Sequence, residues 1–488
     1  MKRPIHSLAG LLFGIMLGIC LTVGLGTISE SQAASGSNYE YLDLFTKVLH
    51  FVQTNYVEEV DQKKLIEGAI KGMLATLDPH TVYLPPDQFK EMQVDTSGKF
   101  GGLGIEITIQ DGYLTVVTPI DDTPAFYAGV EPGDRIITIE DKPKKVKKDT
   151  KGLTLQEAVN LMRGEKGTYV TIHVARKGGE KLVPLELKRD IIKVLAVKGG
   201  LIEPDYAWLR ITNFQANTAR DLRKKIEQLI KENGKPLKGA VLDLRANPGG
   251  LLEEAVNVSS LFLDKVPVVS TIGRNKAKKE VEYAKGESPY KDFKLAVLVN
   301  EASASASEIV AGALQDHRRG IIVGKQTFGK GSVQTVIDME NKAGLKLTVA
   351  RYFTPSGRSI QSKGITPDIE VDRLDPALIE KAKKGKYLRE ADLEGHIKGD
   401  AEKPDDDGLS EGTKISKGEG DEKDKRPIKE KDGKKLRIDD PKELVKTDFQ
   451  LQQALSYLKA WSIFSGVDPL DKTKTERATA KVPDTVTN

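Results

Sequence analysis

The stretch NEASASASEIVAGALQDHRRGIIVGKQTFGKGSVQ, Asn300 to Gln334, follows an apolar run, Leu295 to Val299, that is expected to be a strand. Small residues lead to Ser305, and Ile309, Val310, Ala313 and Leu314 then recur at helical spacing. Ile321 to Val323 is a second strand, after which Lys330 stands between Gly329 and Gly331 and leads into Ser332, Val333 and Gln334. The order places a serine at a helix start and a lysine on an adjacent extended segment.

Each half has an ordinary reading. Ser305 and Glu308 form S-x-x-E before an apolar run, the pattern of a capping box. Lys330 alone would be a solvated lysine in a glycine-rich turn. Together they suggest more. The two glycines let the backbone approach a neighbour closely and leave Lys330 as the only side chain there. If residues 330 to 334 are extended, Lys330 and Gln334 share a face, and the Gln334 amide can orient the amine. A serine at a helix N-terminus also places the next backbone N–H, that of Ala306, where it can meet a developing oxyanion.

SASASEIVAGAL followed by TFGKGSVQ resembles the carboxyl-terminal processing proteases, Ser-Lys peptidases that carry a PDZ domain. The resemblance runs from about Tyr41 to about Lys459. It implies that Ser305 is the nucleophile, Lys330 the general base and Gln334 the residue that orients the base. The spacing of 330 − 305 = 25 positions agrees with the family pattern.

A length of 488 residues suits two or three domains, and 39% hydrophobic with 30% charged residues suits a globular body plus a highly charged part. The net charge of +4 argues against nucleic-acid binding. Cys20 is the only cysteine, which rules out a disulfide framework and a thiolate metal site. Six scattered histidines without an H-x-x-x-H pair argue against a metallopeptidase, so no metal or cofactor is expected.

Lys2 and Arg3 precede an uncharged run whose apolar core spans Leu8 to Ile28, long enough to cross a bilayer. Residues 1–34 are read as a signal peptide, cleaved near Ser31-Gln32-Ala33, or as a retained anchor. The positive charges put the remainder outside the cytoplasm, periplasmic or extracytoplasmic, and held at the inner membrane if the segment is uncleaved. Cys20 is read as a membrane-buried apolar residue. Residues 39–97 form an N-terminal helical segment, from the helical spacing of Tyr41, Leu44, Phe45, Val48 and Val52 and of Leu65 to Leu77. It includes LDPHTVYL and is read as a packing or dimerisation element.

From Gly98 the pattern changes. Leu103, Ile105, Ile107 and Ile109 alternate, Asp111-Gly112 signals a hairpin, and Thr154 with Glu157 opens a helix. Headed by GGLGIEI and including EPGDRI at 131–136, residues 98–189 resemble a PDZ domain. The N–H groups of Gly102, Leu103, Gly104 and Ile105 would then hold a substrate's terminal carboxylate while the peptide adds as a strand.

Residues 190–372 alternate strand and helix, which implies an α/β layered protease core. DLRANPGG (243–250) lies at a strand-to-helix junction, where ligand sites collect. The resemblance assigns a glycine of this motif the second oxyanion N–H, carried to Gly249 with Gly250 as its rival. Between Lys398 and Asp440, 26 of 43 residues are charged and six are aliphatic, so the region 373–445 should be partly disordered. Leu451, Ala454, Leu455, Leu458 and Trp461 mark a C-terminal helix over 446–465, followed by a polar tail at 466–488.

Three rivals are weaker. Gly324 to Lys330 nearly spells a phosphate-binding loop, but Gly331 stands where Ser or Thr must hold Mg²⁺. His317 lies ~18 Å along the helix from Ser305 and is expected to cap helix carbonyls. A PDZ scaffold on a dead core would not need Ser305, Lys330 and Gln334 together. The fold expected is α/β: a mixed strand-helix protease core with an inserted PDZ domain and an N-terminal helical segment. The function expected is a serine endopeptidase acting on the C-termini of extracytoplasmic proteins and peptides. A homo-oligomer is expected, and an adaptor protein is an open partner class.

Overall fold

The structure is a computed structural model that describes residues 36–176, 181–373, 388–393, 395–397 and 440–464. The expectations for the signal or anchor over 1–34, for disorder across 398–439 and for the tail at 466–488 lie outside these residues. Among the described residues, no helix is long and apolar enough to cross a membrane.

The chain divides into two compact units, Met1–Thr76 and Leu77–Asn488. The first contains α1 (Gly36–Asn55) and α2 (Gln62–Ala75), the latter opened by Asp61, whose side chain accepts from Lys63 N–H at 2.8 Å. Along α1, Tyr41, Leu44, Phe45 and Val48 are exposed.

The second unit opens with β1 (Val82–Leu84), α3 (Pro86–Ser97) and β2 (Lys99–Gly102). An antiparallel sheet follows: β3 (Ile105–Gln110), β4 (Tyr113–Pro119), β5 (Arg135–Asp141), β6 (Val146–Asp149), β7 (Tyr169–Ala175) and β8 (Val183–Lys188). Its helices are α4 (Pro124–Tyr127) and α5 (Leu155–Met162). Asp111 and Gly112 take φ of 53° and 76°, the pair of positive values that a tight β3–β4 hairpin requires. Thr154 and Glu157 form the capping box of α5, at 2.8 and 3.3 Å. Leu103, Leu114, Val116, Ile136, Ile139 and Ile172 close this domain's own core. β9 (Asp190–Lys193) then pairs with β2 and returns the chain to the point of departure.

The protease core comprises β10 (Val197–Glu203), β11 (Tyr206–Ile211), α6 (Thr218–Asn233), β12 (Gly239–Asp243), α7 (Leu252–Ser259), β13 (Pro267–Gly273) and β14 (Lys279–Tyr283). It continues with β15 (Lys294–Val299), α8 (Ala306–Asp316), β16 (Ile321–Gly324), β17 (Ser332–Asp338), β18 (Gly344–Phe353) and β19 (Ile369–Glu370). The central sheet runs β10-β11-β12-β15-β16-β19, parallel from β11 onward. Every residue of β12 is buried, as expected for a parallel strand covered on both faces.

The two faces follow the period of two. Ala240, Leu242, Leu295, Val297 and Val299 meet α6, α7 and α8 on one side. Val241, Ala296, Leu298 and Val323 face the other side and pack with Leu451, Ala454, Leu455 and Leu458. Those four belong to α10 (Phe449–Phe464), preceded by α9 (Pro441–Thr447). Burying each leucine contributes ~1.5–3 kcal/mol, so the C-terminal helix is a structural layer of the core. A second, antiparallel sheet, β1-β18-β13-β14 with β17 on β18, carries the chain away from the loop of Lys330.

Candidate active site

β12, β15 and β16 are neighbours in the sheet. The loop with Gly249, the turn with Ser305 and the loop with Lys330 leave their C-terminal ends side by side. This is the crevice where open α/β sheets collect ligands.

Ser305 precedes α8 with φ 55° and ψ −112°, a conformation that a non-glycine residue adopts only when its surroundings impose it. The cause is Glu308. Its carboxylate oxygen Oε2 accepts the Ser305 N–H at 2.7 Å, while the Ser305 carbonyl accepts the N–H groups of Glu308 and Ile309. The serine hydroxyl stands beside this capping box. It meets the phenol of Tyr352 on β18, which burial pushes up to about 12 against the opposing hydrogen bond from Ser305. Tyr352 is therefore neutral at physiological pH.

Lys330 lies just before β17, and its N–H donates to Glu308 Oε2 at 3.0 Å. Burial, then the positive charge of Lys346, lowers its ammonium to about 8, against Glu390, Glu308 and Asp78. The neighbour that the glycines admit is the segment 360–364. A Cβ on Gly331 would lie 2.3 Å from the Gln361 backbone nitrogen.

Gln334 does not orient the amine in this structure. Its amide donates to Ser332 Oγ at 2.8 Å and faces Thr348 Oγ1 at 3.5 Å. Lys330 precedes the strand, and the β17–β18 pairing slips between Val333 and Gln334, so the alternation that would put 330 and 334 on one face is interrupted. Among the described residues, no hydrogen bond joins the Lys330 side chain to Ser305 or Gln334.

Gly249 approaches Ser305 directly. At φ 105°, a Cβ there would lie 2.8 Å from Ser305 Cβ and 3.0 Å from Ala306 N. Its N–H, however, donates to Asn247 Oδ1 at 2.9 Å. Gly250, the rival, has its backbone bridged to Phe214. Ala306 occupies the first position of α8, where helix N–H groups lack an intrahelical partner.

In the inserted domain, Leu103 and Gly104 form the turn between Gly102 at the end of β2 and Ile105 at the start of β3. The carbonyls of Leu103 and Gly104 accept from Ala125 and Ile120 at 3.0 and 2.8 Å. His317 lies at the far end of α8 and its Nε2 meets the Pro267 carbonyl at 2.7 Å. Its side chain thus ties the helix to β13, while its backbone N–H caps the helix on the Ala313 carbonyl at 3.1 Å. Among the described residues, no cluster of three or more His, Cys, Asp or Glu could hold a metal ion.

The model of peptidase family S41 matches residues 205–371, that of a PDZ domain residues 101–187, and that of the activating protease CtpB N-terminal domain residues 23–88. The chain is 46% identical over 389 residues to a carboxy-terminal-processing protease of Bartonella bacilliformis, spanning 79% of this chain and 87% of that one. This chain belongs to the carboxy-terminal processing protease family. To the carboxy-terminal processing protease CtpA of Bacillus subtilis it is 34% identical over 403 residues, spanning 82% and 84%. It is also similar to the solved photosystem II D1 C-terminal processing protease, at 31% identity, 67% of this chain, 92% of that one and a TM-score of 0.39. It is accordingly a serine peptidase with a PDZ domain.

Several residues of this carboxy-terminal processing protease stand at the site without having been singled out from the sequence. Glu308 was legible only as a cap. Asp78, in LDPHT, accepts from Thr81 and from Thr348 Oγ1 at 3.1 Å, and so backs the sheet that follows Lys330. Arg245 of DLRANPGG bridges Asp243 at 2.7 Å and Asp448, just before α10, at 2.7 Å.

Proposed function

We propose that this protease cuts C-terminal segments of extracytoplasmic proteins with a Ser305–Lys330 dyad. The observation that carries the dyad is the burial of Lys330, with its ammonium lowered to about 8. A solvated lysine near ~10.4 would be protonated at neutral pH and unable to accept a proton.

In this reading Ser305 Oγ attacks the scissile carbonyl. Its proton passes to Lys330 Nζ, which later delivers it to the leaving amine. The Ala306 N–H, at the positive end of α8, faces the oxyanion. Gly249 lies close enough to be the second donor once its N–H turns from Asn247. Gln334 acts through Ser332 and Thr348, steadying β17 behind the base. The PDZ turn 102–105 receives the substrate carboxylate, which commits the enzyme to chain ends. The basic N-terminus and the uncharged run before residue 35 support an extracytoplasmic location. A homo-oligomer and an adaptor-dependent form are compatible with it.

A fluorophosphonate probe should label Ser305 in the wild type and not in Lys330→Ala. A model peptide with a free C-terminal carboxylate should be cut faster than its amide, because the amide forfeits charge-assisted hydrogen bonds worth ~1.5–3 kcal/mol each. Equal rates would remove the PDZ from substrate selection. Protease shaving of spheroplasts should reach the catalytic body. Protection until the membrane is broken would place it in the cytoplasm.

A further inference from the structure

We propose that Glu390, carried by a segment beyond the S41 core, is a positioning residue for the general base and latches the Lys330 loop from behind. The inference rests on the Ser305–Lys330 reading and extends it.

A closed set of bonds joins three distant parts of the chain. His80 Nε2 lies 2.8 Å from both carboxylate oxygens of Glu390. Gln361 Nε2 donates to Glu390 Oε1 at 3.1 Å, and the other end of that amide, Oε1, accepts the Gly331 N–H at 2.9 Å. The Glu390 N–H donates to the Phe328 carbonyl at 3.2 Å, and Arg389 reaches Gln326 Oε1 at 2.9 Å. Gln326, Phe328 and Gly331 flank Lys330, so the loop is gripped on both sides of the base.

The manner of burial points to purpose. In the short 3-10 turn Glu390–Asp392 the only buried residue is Glu390, at 0% exposure. Taking a carboxylate out of water is costly unless it is fully hydrogen-bonded, and an apolar side chain would fix the turn at less expense. A carboxylate kept there acts on its surroundings, and Lys330, in the loop it grips, is one of the groups that feel it. The charged and titratable groups facing Lys330 are Lys346, Glu390, Glu308 and Asp78. Glu390 itself faces His80 and Lys330. Glu390 pulls the base upward while burial and Lys346 pull it down.

The test uses the full chain and the pH profile of kcat on a free-acid model peptide. Glu390→Gln can keep the latch: its amide oxygen accepts from Gln361, and its NH₂ donates to His80 Nε2 once the ring proton sits on Nδ1. Without the negative charge, the acid limb of kcat should move to lower pH, with KM within ~twofold of wild type. Glu390→Ala should lower kcat ~10–100-fold at unchanged KM, the scale of a misplaced catalytic group. A Glu390→Gln limb that coincides with wild type, or moves to higher pH, overturns the proposal. If Glu390→Ala fails to fold, the Glu390→Gln profile decides alone. Lys330→Arg separates the two levels. An active Lys330→Arg sinks the dyad and this proposal with it, whereas an inactive one beside wild-type Glu390 variants overturns the latch only.

Discussion

Ser305 and Lys330 donate their backbone N–H groups to the same carboxylate oxygen, Glu308 Oε2, at 2.7 and 3.0 Å. The other oxygen takes the Thr327 hydroxyl at 2.5 Å and the Gly329 N–H at 2.7 Å. One fully buried side chain therefore sets the spacing between the Ser305 turn and the Lys330 loop. Burial raises its carboxyl to about 7, against these four donors.

Glu308→Ala should unseat both residues at once. It leaves four donors without their acceptor in a buried site, and a stability loss of about 2–4 kcal/mol is expected in urea unfolding. Glu308→Gln turns an NH₂ toward donors and should also fail to label with fluorophosphonate. Labelling of either variant at the wild-type rate would show that Glu308 is a mere cap.

The pH dependence follows from the sign of the Lys330 shift. Its base form gains population as pH rises through about 8, so kcat should climb there and be lost below. Lys346→Gln removes a like charge, raises Lys330 and should carry the limb to higher pH. Lys330→Arg should be inactive though folded, because arginine stays charged. His317→Ala should leave the profile where it was. A wild-type limb at the carboxylate range instead would reject lysine as the base.

Gly249→Ala tests the close approach to Ser305. The new Cβ would stand 2.8 Å from Ser305 Cβ at a φ of 105°. The backbone must shift, at a cost of ~1–3 kcal/mol. Ser305 labelling should fall more than the melting temperature does, and an unchanged labelling rate would dismiss the steric argument.

Arg245 offers a test of the link to the C-terminal helix. Asp243 is fully buried and accepts from Arg245 at 2.9 and 2.7 Å. Arg245→Met should cost ~3–5 kcal/mol by leaving that carboxylate without its main partner. Asp448→Asn, which spares the inner pair, should cost less. A double-mutant cycle with no coupling would mean that the two carboxylates do not share the arginine.

The sequence announced whatever depends on neighbours along the chain. The apolar runs of β12 and β15, the Asp111-Gly112 hairpin and the Thr154–Glu157 box all appear where local pattern placed them. The α/β class followed from the same periodicities. What stayed hidden is long-range or contrary to a local rule. S-x-x-E reads as a plain cap, yet Ser305 stands at φ 55° and the Glu308 carboxylate reaches across to residues 327–330. Alternation puts Gln334 beside Lys330, yet the strand starts at Ser332 and slips register two residues later. His80 and Glu390 lie 310 positions apart, with no pattern that could pair them.

α10 covers the second face of the central sheet, and Asp448 at its threshold holds Arg245. A ribosome releases the chain from its N-terminus, so Gly249, Ser305 and Lys330 all emerge before that helix does. Until then one side of the sheet is bare and Arg245 holds Asp243 without its outer carboxylate. The helix that closes this face of the sheet is thus made after every strand it covers.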